Sequence, residues 1–198
     1  MTNEPNFEPA AKLLVGELQS LYSTWNGVAQ FNGTINRLME MYKERCWSPE
    51  KIKSELDRVF KDFDDNCREM IIAGPASVWS MCPHHLLPCQ YSVIIGVIPD
   101  GKVPGASKYT RVADILGRRP IMQETYTTEL ADYIHKKLNP KGTAVHVVGS
   151  HTCMMSRGVR QPESNRLMTT ALRGLFMDNH SVKEEFMLSV SLRYQGTQ

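Results

Sequence analysis

The chain has 198 residues, with Lys plus Arg at 23, Asp plus Glu at 21 and a formal net charge of +2. At 41% hydrophobic and 22% charged, wholesale disorder is excluded, and the length supports one core, or at most two small ones, without staples. The nearly neutral balance argues against a broad basic face for nucleic acid but leaves room for a small cationic site.

The first third reads as helical. Leu13, Leu14, Leu18 and Leu21 recur at helical spacing, as do Ile35, Leu38, Met39 and Tyr42. Ser48-Pro49-Glu50 is a helix start, with a capping hydroxyl, a proline at the first position and an acid near the positive end of the dipole. Ile52, Leu56, Val59, Phe60 and Phe63 give that helix an apolar face, and Asp62, Asp64, Asp65 and Asn66 close it. From Met70 the character changes. Met70-Ile71-Ile72 and Val78-Trp79-Ser80-Met81 read as two short β stretches broken at Gly74-Pro75, and Tyr91 to Ile98 as a strong strand ending in the Pro99-Asp100-Gly101 turn. Two helices follow, about Ser107–Arg118 and Met122–Leu138, separated at Pro120. Thr143–Val148 reads as a strand and Gly158–Asn165 as a polar loop. Leu167–Phe176 begins as a strand, and Ser181–Leu188 is a short helix before a polar tail. The order is a helical segment over 1–68, then β-β-α-α-β-β over 69–198 as one integrated unit. The strands are expected to be antiparallel, with exposed edges that oligomerisation would cover.

Five cysteines, Cys46, Cys67, Cys82, Cys89 and Cys153, make an odd and scattered set, a poor disulfide framework. Met1-Thr2-Asn3-Glu4-Pro5 has no apolar signal core, and no stretch approaches the ~20 apolar residues of a membrane span. The expectation is a soluble, cytoplasmic protein without a membrane partner, whose thiols are free or on a metal.

The most informative segment is Ser80-Met81-Cys82-Pro83-His84-His85-Leu86-Leu87-Pro88. Cys82 and His85 are spaced for a thiolate and an imidazole on one ion, and Ser150-His151-Thr152-Cys153 adds another thiol beside another histidine. Cys82, His85 and Cys153 would form a Cys2His zinc site with an open fourth position, as catalytic zinc requires. Cys89 could instead complete a structural Cys3His site. Zinc lowers the pKa of water to ~7, and His84 and His151 suit proton transfer near neutrality. His135, His146 and His180 lack such company and read as surface or packing residues.

Taken with Gly105-Ala106-Ser107-Lys108-x-x-Arg111, Arg118-Arg119-Pro120-x-x-Gln123-Glu124, His151-x-Cys153-Met154 and Arg157-Gly158-Val159, these segments resemble the GTP cyclohydrolase I family in order and spacing, over about Ser80–Phe186. The resemblance implies a zinc enzyme converting GTP to 7,8-dihydroneopterin triphosphate and formate, with Cys82, His85 and Cys153 as ligands. It implies proton transfer by His151 and His84, guanine recognition by Gln123 and Glu124, and triphosphate binding by Ser107, Lys108, Arg111 and Arg157. It also implies the α+β tunnelling fold (T-fold, ββααββ), with subunits joining sheets into a barrel, and a homodecamer of two pentamers with sites between subunits. The product feeds pterin, folate or 7-deazaguanine synthesis.

Departures from the family pattern are Pro83 where many members carry glutamate and Cys89 where an aromatic is common. The stretch Ile72–Trp79 lacks the usual acidic approach, and the N-terminal region lacks Thr-Pro-x-Arg-Val, with Gly33–Met39 placed in the same helix instead. Cys89 is read as a packing thiol. Competing readings are a tunnelling-fold pterin epimerase or synthase, disfavoured by the complete ligand set, and an inactive nucleotide-binding paralogue with a structural metal.

Overall fold

The computed structural model describes residues 5–24 and 28–195; Met1–Glu4 and the end of the polar tail lie outside them. The helical segment holds α1 (Glu8–Leu21), a 3-10 turn (Val28–Phe31), α2 (Thr34–Arg45) and α3 (Pro49–Val59). Ser48 caps α3 as its sequence dictates, its Oγ accepting from the Lys51 N–H at 3.3 Å with Pro49 in the first position. Ile52, Leu56 and Val59 then enter the main core. In α1 the buried face is Ala11 and Val15, while Leu13, Leu14 and Leu21 stay exposed. The small i, i+4 face allows α1 close to α2, with Leu14 lining a cavity beside α2 and Leu13 and Leu21 exposed.

The remainder runs β1 (Asp62–Asp64), β2 (Ile71–Met81), β3 (Pro88–Ile98), β4 (Lys102–Pro104), α4 (Ser107–Gly117), α5 (Gln123–Leu138), β5 (Gly142–His151), α6 (Thr152–Met155), β6 (Leu167–Gly174), α7 (Leu175–Asp178) and α8 (His180–Gln195). The four long strands form an antiparallel sheet in the order β2-β3-β5-β6, a mixed α and β architecture as expected. Two differences from the sequence reading fall before α4. The aspartates after α3 form β1, which pairs with β4 and is joined to it by a Lys102–Asp62 ion pair at 3.2 Å. The two β stretches around Gly74-Pro75 are a single strand with a register shift between Ala73 and Ala76. Gly74 has φ +113°, and a Cβ there would meet the Val93 carbonyl oxygen at 2.4 Å, so the interruption is a bulge rather than a break.

Both faces of the sheet are covered. Val93, Ile95 and Val97 of β3 point with Val145 and Val147 of β5 into the core under α4 and α5. Ile94, Ile98 and Ala144 point the other way, onto Phe176 of α7 and Phe186 and Val190 of α8. Burial on both sides explains why β3 is a continuous apolar run. It also explains the length of α8, which reaches Gln195 rather than stopping near Leu188: its last turns dock on the sheet, with the Tyr194 hydroxyl donating to the Ser92 carbonyl at 3.2 Å.

His146 lies on the α8 face of β5, with Nδ1 at 2.8 Å from Thr170 Oγ1, and burial pushes its pKa below the ordinary imidazole value. The fold therefore favours neutral His146, whereas the unfolded chain takes a proton near pH ~6.5. Stability against urea is expected to be constant above that pH and to fall as pH drops below it, towards the lowered folded-state pKa. His146→Gln is expected to flatten this slope; an unchanged slope would refute the assignment.

Candidate metal centre

Antiparallel pairing brings the two motif segments together. Ser80 of β2 pairs with Cys89 of β3, and Cys89 pairs with His151 of β5, so three strands carry these residues abreast at one end of the sheet. Cys82 follows β2 directly. A tight loop returns the chain to β3, closed by Cys82 N–H to the Leu87 carbonyl at 2.8 Å and Leu86 N–H to the Cys82 carbonyl at 2.9 Å. The loop brings the His85 ring back over Cys82, with Sγ and Nδ1 3.5 Å apart. Cys153 lies on α6, just beyond β5, and the Thr152 hydroxyl ties that turn to the Pro88 carbonyl at 2.6 Å.

The ligand atoms of Cys82, His85 and Cys153 lie within 4.8 Å of one another, and no other such group occurs among the described residues. A tetrahedral zinc with Zn–S near 2.3 Å and Zn–N near 2.0 Å separates its donors by roughly 3.5–3.8 Å, so the set fits such an ion after small adjustment. Two thiols and one imidazole are the donor chemistry zinc takes. Burial and the neighbouring Cys82 raise the pKa of the Cys153 thiol, and a bound cation would favour its thiolate. Cys89 is not in the group, and the Cys3His alternative finds no support in this geometry.

His151 is held from both sides. Its Nε2 is 2.9 Å from Gln123 Oε1, and its Nδ1 is 3.2 Å from Cys89 Sγ. Gln123 is 1% exposed, and its Nε2 lies among the Val147 carbonyl at 3.2 Å, the Leu167 carbonyl at 3.0 Å and Thr169 Oγ1 at 3.1 Å. Two of these groups are carbonyls and only accept, so the amide nitrogen must face them and Oε1 must face His151. The Gln123 backbone carbonyl in turn accepts from the Thr127 hydroxyl at 2.7 Å. A Cβ at position 149 would lie 1.9 Å from Gln123 Oε1, so the network requires Gly149. Burial lowers the His151 pKa, and the Glu124 carboxylate partly opposes that shift.

The other anticipated residues divide into two groups. His84 is exposed on the ligand loop, its ring 6.3 Å from that of His85. Glu124 is exposed at the start of α5, and exposed Arg157 donates to His85 Nε2. Ser107, Lys108 and Arg111 open α4, which starts beyond the far end of β3 and packs back along β2, its last residue Gly117 against Val78. Gln123, anticipated beside Glu124 as a guanine contact, has its amide committed to protein groups. The sequence reading missed the supporting roles of Cys89, Thr169 and Gly149; the signal for Cys89 was its place immediately after the ligand loop.

The α4–α5 connection also serves the centre. Ser80 Oγ donates to the Arg119 carbonyl at 3.1 Å, and Ile121 N–H to the Met81 carbonyl at 3.1 Å. Arg119 pairs with Glu129, while Arg118 pairs with Asp114 and stacks on Trp47, with its guanidinium carbon 4.5 Å from the ring centroid. These ties anchor the Arg118-Arg119-Pro120 segment beside the end of β2.

The scaffold and cluster together define a mixed α and β protein with the donor set of an open zinc centre. The sequence model of the GTP cyclohydrolase I family matches residues 25–191, and the chain belongs to that family. The GTP cyclohydrolase 1 of Dehalococcoides mccartyi is 40% identical over 156 residues, 78% of this chain and 81% of that one. That of Clostridium perfringens is 35% identical over 159 residues, 80% and 84% of the two chains. That of Streptococcus pyogenes is 37% identical over 154 residues, 77% of each. The crystal structure of the archaeosine synthase QueF-Like in the apo form aligns with a TM-score of 0.44 and 17% identity, over 53% of this chain and 93% of its own.

If Cys82, His85 and Cys153 form the centre, Cys153→Ala is expected to lose the zinc that the parent protein retains through gel filtration. Cys46→Ala, in the helical segment, is expected to keep it. Equal zinc content in parent and Cys153→Ala, measured by atomic emission, would remove Cys153 from the ligand set.

Proposed function

We propose that this chain is a zinc-dependent GTP cyclohydrolase I, hydrolysing GTP to 7,8-dihydroneopterin triphosphate and formate. The observation that carries the reading is the meeting of Cys82, His85 and Cys153 with a doubly held His151 at one sheet end, in a chain of this family. Zinc bound there would supply Lewis acidity and lower the pKa of water to ~7, making a nucleophile available for the purine C8 carbon.

The chain's own residues supply proton transfer and recognition. His151, favoured in its neutral form, is assigned to proton transfer at a purine nitrogen, for which one ring nitrogen must leave its Gln123 or Cys89 partner when substrate binds, and exposed His84 serves later steps. The Glu124 carboxylate can accept from guanine N1–H and its exocyclic amine together, a donor edge that adenine lacks. In this reading Gln123 serves guanine chemistry through His151 rather than by direct contact. Arg157, on the loop after α6, is placed to turn from His85 to a phosphate, where its planar fork suits the charge.

We read Ser107, Lys108 and Arg111 as triphosphate contacts that a neighbouring copy supplies. We therefore read the ββααββ unit as a tunnelling fold whose subunits join sheets into a barrel and assemble as a homodecamer, with sites between copies. Support comes from β2 and β6, the edges of the sheet, and from the apolar side chains Leu13, Leu188 and Leu192, which are exposed in the single chain. Residues 1–68 form the helical segment and 69–198 the catalytic unit, sharing one core through α3. The setting is cytoplasmic, at the entry to pterin, folate or 7-deazaguanine synthesis.

Zinc-loaded protein incubated with GTP is expected to release formate and, after oxidation, a fluorescent neopterin. Absence of both products overturns the reading. His151→Ala is expected to keep its zinc and lose turnover by about 10²–10⁴-fold; undiminished turnover would remove His151 from the chemistry.

A further inference from the structure

Cys89 holds one side of His151 but has no chemical role of its own in the function just described. It is 0% exposed, stands directly opposite His151 in the β3–β5 register and approaches its Nδ1 to 3.2 Å. The direction of this contact follows from the far side of the ring. The Val147 and Leu167 carbonyls fix the Gln123 amide nitrogen, so Gln123 Oε1 is the group presented to His151 Nε2, and Nε2 must donate. A neutral imidazole carries one N–H, so its Nδ1 is a lone pair, and the hydrogen in the contact belongs to the Cys89 thiol.

We infer that Cys89 is a positioning residue for His151: its S–H donates to Nδ1 and, with Gln123 at Nε2, fixes the plane and tautomer of the ring. The kinetic consequence rests on the proposed GTP cyclohydrolase activity; the contact itself does not. A thiol suits the task because it is a weak donor. It orients the lone pair without strongly reducing its basicity. It also has a second acceptor, the Leu87 carbonyl, 3.9 Å from Sγ. The Tyr91 ring, with its centroid 5.9 Å from that of His151, limits movement of the imidazole within the sheet end. Alanine at position 89 would leave the ring held at Nε2 alone, free to tilt about that bond, whereas serine would restore a donor at nearly the same place.

The test uses full-length zinc-loaded protein labelled with ¹⁵N-histidine, with the His151 signals identified by their loss in His151→Asn. The parent protein is expected to show a protonated, pyrrole-type Nε2 and an unprotonated, pyridine-type Nδ1 at His151. Cys89→Ala is expected to shift the Nδ1 signal and to lower kcat about tenfold, with KM for GTP within about twofold and zinc content unchanged. Cys89→Ser is expected to recover most of the lost kcat. Two protonated nitrogens in the parent, the mark of a thiolate–imidazolium pair, would overturn the inference. So would an unshifted Nδ1 signal or an unchanged kcat in Cys89→Ala, or a serine variant no better than alanine. If the parent does not turn over GTP at all, the proposed activity fails, and the ¹⁵N spectra of the parent and the two variants still decide the contact.

Discussion

Everything at the candidate centre depends on the antiparallel register of β3 with its two neighbours. A strand presents alternate residues to alternate faces, so the pairing of Cys89 with Ser80 and His151 sets which side chains can meet at this end. The same pairing carries Cys82 and Cys153, from segments far apart in sequence, to adjoining positions beyond the strand ends. The apolar rows of β3 hold this register because both faces of the strand are buried, and a slip by one residue would invert them.

Around His151 the protein keeps a polar network inside an apolar core. Such a network is tolerable only when its members are paired, because an unpaired buried amide costs about 1–3 kcal/mol. Gln123 meets that condition through two backbone carbonyls, a threonine hydroxyl and the imidazole. The arrangement is directional as well as satisfied: carbonyls that can only accept determine how the amide lies, and the amide determines which imidazole nitrogen carries the proton. A chemical property of the site thus originates in the backbone of β5 and β6, one step removed from any group that could touch a ligand.

The grouping of Cys82, His85 and Cys153 was legible because its members sit in two short segments, and Cys82 and His85 lie within one tight loop where local spacing governs geometry. The capping of α3, the long strands and the helix pair were legible for the same reason, being encoded by nearby residues. What was hidden depends on partners distant in sequence. The pairing of β1 with β4 links Asp62–Asp64 to Lys102–Pro104 and has no local signature. The α1 leucines form a convincing stripe, yet small Ala11 and Val15 are the residues turned inward. Gln123 looked like a contact for a base because it stands beside Glu124, but consecutive residues of a helix point about 100° apart, and one enters the core while the other faces outward. Lys108 and Arg111, three apart at the start of α4, share a helical face as expected.

The loop bearing Cys82 and His85 is also touched from the other end of the chain. The Tyr42 hydroxyl of α2 donates to the Leu86 carbonyl at 3.4 Å, Leu86 has φ +52°, and the Phe7 ring lies 5.6 Å from that of Tyr42. A cavity of about 410 Å³, lined in part by Phe7, Leu14, Leu38, Tyr42 and Leu86, separates the first two helices from this loop. Movement of that loop pulls Leu86 from Tyr42, so the loop that carries Cys82 and His85 is tied to helices that add nothing to the cluster, and its geometry is a property of the whole chain rather than of three side chains.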